Sequence, residues 1–171
     1  FTSKFDYYLR GEATLTSLEQ EGLALFKDTT RAMCVNCHIL DPDPVSGKVL
    51  LTDYTYDNIG SSKNPKAPFL FLPATFNPEG QDFLDLGLGR VTGASAQNGQ
   101  FKVPTLRNVA VTAPYLHHGL FKTLEEVVHF YNSRDTDPVF GPPEVKENIN
   151  TDELGDLKLT TAEESALVAF L

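Results

Sequence analysis

No stretch of this chain is apolar for long enough to cross a membrane as a helix, which excludes a helical span. Positive charge is in short supply. Fourteen Lys and Arg stand against 23 Asp and Glu, a formal net charge of −9. That balance disfavours nucleic acid and anionic membrane surfaces as partners. Cysteine occurs twice only, at Cys34 and Cys37, so no thiol is left over for a second role. Methionine occurs once, as Met33, so any site needing a methionine must use a residue pinned beside Cys34. The opening Phe1-Thr2-Ser3-Lys4 has no charged-then-apolar leader, and a mature or excised chain is expected from it.

What is present is concentrated in Cys34-Val35-Asn36-Cys37-His38. The C-x-x-C-H spacing is the attachment signature of a c-type haem. Each thiol can form a thioether to one haem vinyl group. The histidine that follows is then held over the iron as its proximal ligand. A thioredoxin-like redox pair does not need that histidine, and a zinc site needs a second pair of ligands nearby. One covalent haem c on Cys34, Cys37 and His38 is therefore the expectation. Met33, tethered next to the first cysteine, cannot reach the opposite face of the haem, so the usual histidine–methionine pair is not expected.

At 171 residues and 41% hydrophobic content, the chain is long enough for one domain with a real core. Three helices begin on T-x-x-E capping boxes: Thr16 with Glu19, Thr123 with Glu126, and Thr160 with Glu163. In the second, Leu124, Val127, Val128 and Tyr131 recur at helical spacing and share one face. Residues 39 to 100 hold many of the glycines and prolines and read as loops, which are uncommon at this length unless they wrap a site. Thr52-Asp53-Tyr54-Thr55-Tyr56 alternates like a strand and suggests a short hairpin arm. Gly87-Leu88-Gly89-Arg90 lacks the strand and spacing of a phosphate loop and reads as a turn. The expected architecture is an all-α, cytochrome c-like single domain over 1–171, with long loops around the haem.

The face opposite His38 has several candidates. His129 lies off the apolar side of its helix and reads as a structural histidine. His117 and His118 sit in a loop, where local hydrogen bonding is the ordinary role. Tyr131 lies on the apolar face, either as a core tyrosine or as a phenolate ligand to iron. The residues alone leave that choice open.

A resemblance narrows it. Phe101-Lys102-Val103-Pro104-Thr105-Leu106-Arg107-Asn108-Val109, Thr112-Ala113-Pro114-Tyr115-Leu116-His117 and Thr123-Leu124-Glu125-Glu126-Val127-Val128 resemble the C-terminal haem domain of bacterial di-haem cytochrome c peroxidases, a family that includes MauG-type enzymes. Gly22 to Phe26, Thr52-Asp53 and Asn58-Ile59-Gly60 fit as well. The resemblance implies a periplasmic electron-transfer domain whose partner is a second haem domain or redox protein. It implies Tyr131 as the distal ligand, as in MauG-type members, where peroxidases carry methionine. It implies that Lys102 and Arg107 balance propionate charge and that His117 lies near the haem. Calcium at a domain interface, through backbone oxygens of Thr112 and Pro114, is not expected in this piece alone. Peroxidase activity is not expected of the isolated domain, because no open iron position with an acid/base group is assignable. The alternative is a free-standing mono-haem protein that reacts with peroxide or binds small gas ligands.

Overall fold

The computed structural model describes residues 1–171. Five α-helices carry the fold: α1 (Lys4–Leu9), α2 (Ser17–Lys27), α3 (Leu88–Thr92), α4 (Leu124–Ser133) and α5 (Thr161–Phe170). The three capping boxes form as the sequence predicts. Thr16 Oγ accepts from the Glu19 N–H at 3.3 Å while the Glu19 carboxylate accepts from the Thr16 N–H at 2.6 Å. Thr123 with Glu126 and Thr160 with Glu163 repeat the arrangement. Each box satisfies N-terminal donors that the helix itself cannot.

The helices α2, α4 and α5 enclose the main core, with α5 touching both of the others. Phe26, Ala32, Val49, Leu51, Val128, Leu159 and Leu167 are buried there. Gly22 makes the α2–α5 crossing close: a Cβ at that position would lie 2.0 Å from the Ala166 carbonyl oxygen. A smaller cluster of Phe121, Phe130 and Leu154 gathers Val127, Tyr131, Ile59 and Leu116 around it. The two faces of α4 thus feed two cores.

The fold is helix-rich rather than all-α. Two short strands, β1 (Tyr56–Asp57) and β2 (Phe101–Lys102), pair antiparallel with Tyr56 opposite Lys102. The alternating stretch from Thr52 contributes only its last residue, and its partner is a distant segment rather than a hairpin neighbour. The reason is backbone satisfaction: a long loop must find partners for its N–H and C=O groups. Buried asparagines do the same work. Asn58 donates to the Val145 and Glu147 carbonyls and accepts from the Gly60 N–H. Arg134, at the end of α4, donates to the Ile59 and Asn150 carbonyls, both at 2.9 Å. The Gly87–Arg90 segment, expected as a turn, runs into the five-residue α3.

Candidate functional site

The chain leaves α2 at Asp28, whose carbonyl accepts from the Met33 N–H at 2.8 Å. Met33 sits in the left-handed region at φ 56° and caps a 3-10 turn over Cys34–Asn36. The His38 N–H closes the motif onto the Cys34 carbonyl at 2.9 Å. One turn therefore places both thiols and the imidazole together, with Met33 on their N-terminal side.

The His38 ring is held by a bond that fixes its tautomer. Nδ1 lies 2.9 Å from the Leu51 carbonyl oxygen. A carbonyl only accepts, so Nδ1 carries the proton and Nε2 keeps its lone pair. This is how proteins orient a metal-ligating histidine. Leu51 is itself in the left-handed region at φ 55°, and it is buried. That conformation is uncommon outside glycine, and here it presents the carbonyl to His38. The following residue, Thr52, anchors the segment through its hydroxyl to the Val103 carbonyl at 2.7 Å. Burial pushes the His38 pKa down, so the ring is neutral and able to coordinate.

The thiols behave differently from a redox pair. Burial pushes Cys34 up to about 12. Burial, followed by the charges of Glu153, Asp53 and Asp57, pushes Cys37 up to about 12. Reactive C-x-x-C pairs depend on a depressed thiol pKa. Cys37 is instead ringed by carboxylates: Asp57, Glu153 and its Sγ lie within 4.8 Å of one another. Asn150 bridges those two carboxylates with contacts of 2.7 and 2.8 Å, and Asn36 donates to Glu153 at 3.0 Å. These acidic neighbours carried no signal in the sequence, because they come from segments far from the motif.

Tyr131 reaches the same place from α4. Burial raises its pKa, and the charges of Cys34, Cys37 and Asp57 add to the shift. Its hydroxyl has no hydrogen-bond partner in the chain, whereas Tyr115 donates to the Val109 carbonyl at 2.9 Å. The Tyr131 side chain is half-buried, and the bond from Nδ1 leaves His38 Nε2 with its lone pair.

The remaining candidates stand in other arrangements. Lys102 donates to the Val103 carbonyl at 3.2 Å and lies 4.9 Å over the Tyr54 ring. Arg107 pairs with Asp6 at 2.7 Å and also donates to the Val49 carbonyl, so its guanidinium ties α1 to the core. His117 stacks on Phe101 at 3.6 Å between centroids and faces Glu144 across 4.0 Å. Burial, with His118 alongside, pushes the His117 pKa down to about 3. His129 bonds Glu164 at 2.9 Å and Asp137 at 3.3 Å, which is a structural role.

No family model matches the chain. Individual proteins do. The chain is 37% identical over 185 residues to the methylamine utilization protein MauG of Paracoccus denitrificans, covering all of this chain and 46% of that protein. It is 33% identical over 172 residues to the cytochrome-c peroxidase IdrP2 of a Pseudomonas species, covering 98% of this chain and 42% of that one. Among solved structures, the diheme peroxidase BthA of Burkholderia thailandensis superposes with a TM-score of 0.76 at 29% identity, over 99% of this chain and 45% of its own. The chain thus spans a little under half the length of the relatives it matches.

Proposed function

Because this chain belongs to the bacterial di-haem cytochrome c peroxidase and MauG family, we propose that it is the family's C-terminal haem domain, carrying one covalent haem c for periplasmic electron transfer. The observation that carries the reading is the C-V-N-C-H turn with His38 Nδ1 locked onto the Leu51 carbonyl. When bound, the haem supplies one-electron redox chemistry. Cys34 and Cys37 hold it covalently, and His38 offers Nε2 as the proximal ligand. Tyr131 offers its phenol oxygen from the opposite side. A hard, anionic donor favours ferric over ferrous iron, so Tyr131 sets a low reduction potential. Lys102, held by its neighbour's carbonyl and the Tyr54 ring but by no carboxylate, is a cation available to a haem propionate. Arg107 is committed to Asp6 and acts through the fold instead.

The physiological partner in this reading is a second haem domain. The relatives are roughly twice as long, and one solved neighbour, BthA, is a diheme peroxidase by name. Phe69, Phe71, Leu72, Phe76 and Leu84 are all exposed on one stretch of loop. Exposed apolar clusters of this kind mark interaction surfaces. The second domain is the occupant this surface fits.

The test is direct. Protein produced with the haem-attachment machinery should gain the mass of one haem. That haem should survive denaturation and acid extraction, and Cys34→Ser with Cys37→Ser should lose it. Addition of carbon monoxide or cyanide should leave the spectrum unchanged, as a six-coordinate relay haem requires. An extractable haem, or rapid ligand binding, would overturn the reading in favour of a reactive mono-haem site.

A further inference from the structure

A cleft of about 570 Å³ opens beside the loop that carries His117 and His118. Its walls include both histidines, Glu144, Asp85 and Lys63. One ring nitrogen of each histidine and a Glu144 carboxylate oxygen lie within 4.8 Å of one another. The electron-transfer reading uses neither His118 nor Glu144.

The hydrogen bonds around this trio leave gaps where a ligand would sit. His118 Nε2 lies 2.9 Å from the Ser62 carbonyl, so it must donate there. The proton is then on Nε2, and Nδ1 is an acceptor. Nδ1 is buried and has no partner. An unsatisfied buried acceptor is uncommon and calls for an explanation. The Glu144 side chain is only 7% exposed, yet just one of its oxygens is engaged, by the Asp85 N–H at 3.2 Å. The other faces His117 Nε2 at 4.0 Å, too far for a hydrogen bond. Neighbouring ligand atoms around a tetrahedral ion, each bonded at about 2.1 Å, stand about 3.4 Å apart, so an inward shift of about half an ångström lets both atoms bind one ion. The competing cation, Lys63, is held away by the Gln81 and Phe83 carbonyls at 2.5 and 2.7 Å.

We propose that His117, His118 and Glu144 form a binding site for a divalent first-row transition ion. Two imidazoles and one carboxylate suit zinc, copper, nickel or cobalt, whereas calcium and magnesium require oxygen ligands. The Ser62 carbonyl supplies the outer hydrogen bond that orients His118, and the Phe101 stack holds the His117 ring. Three protein ligands leave a fourth position facing the cleft, so the ion also takes water or a small anionic ligand there. The site is independent of the haem ligation argued above.

The test uses the haem-loaded protein, stripped with a chelator and titrated calorimetrically with Zn²⁺. One equivalent should bind, and Ca²⁺ should not compete. His118→Ala and Glu144→Gln should each weaken binding by at least about tenfold, with the haem spectrum unchanged. If His118→Ala does not fold, His118→Gln serves in its place. With Cu²⁺ as the probe, the electron paramagnetic resonance spectrum should show coupling to two imidazole nitrogens. Absence of a stoichiometric site, equal competition by Ca²⁺, or unchanged affinity in either variant would overturn the proposal.

Discussion

Burial favours the neutral form of a phenol, so Tyr131 keeps its proton until a cation replaces it. The sequence placed Tyr131 on the right face of its helix but could not say what that face meets. The structure buries that face against Phe121, Phe130 and Leu154, and burial raises the Tyr131 pKa. His38 was legible from spacing alone. Glu153 and Asp57, which flank Cys37, were not, because only tertiary folding brings them there. Arg107, which the resemblance implies at the haem, pairs with Asp6, a partner that lies far from it in sequence. Burial raises the Asp6 carboxyl, and hydrogen bonds from Ser3 and Arg107 outweigh it, so its pKa is lowered overall. Arg107→Ala should leave Asp6 buried without its cation and cost about 3 kcal/mol in a urea unfolding experiment. A loss below about 1 kcal/mol would show that the pair does not anchor α1.

At the scale of elements, the capped helices were readable because a capping box is local in sequence. The α1 helix was not, since its box closes with Ser3 and Asp6 rather than glutamate and it spans six residues. The β1–β2 ladder was not, since pairing between distant segments leaves no local signature. The α2–α5 crossing depends on Gly22. Gly22→Ala would drive a methyl into the Ala166 carbonyl and force the helices apart. Its expected cost is about 2–3 kcal/mol, read as a lowered denaturation midpoint. His129 joins α4 to Glu164 on α5 and to Asp137. Its pKa is raised, first by the Glu164 hydrogen bond and then by Asp137. A raised pKa means the charged form is stabilised in the folded chain. That contribution is complete below the ordinary histidine value of 6.5 and fades as pH rises through the folded value. The stability gap between the wild type and His129→Gln should therefore shrink with rising pH. The ring is well exposed, so solvent screening keeps the effect small. A gap that widens with pH would refute the linkage.

On the proposed reading the molecule as a whole is a haem-binding domain. It spans a little under half the length of its relatives, and its long loops and exposed aromatic stretch suit that reading. Loops too long for a compact domain made sense in the sequence only once a haem was there to wrap. The asparagines and the strand pair that hold those loops in place needed coordinates. On the proposed reading His38 and Tyr131 would both hold the haem iron, which would suit electron relay rather than ligand binding. The electron paramagnetic resonance spectrum of the ferric haem-loaded protein, recorded beside Tyr131→Phe, measures this most directly. The account predicts a low-spin, six-coordinate signal in the parent. It also predicts a changed signal and a higher reduction potential in the variant. Identical spectra and potentials in the two proteins would contradict it.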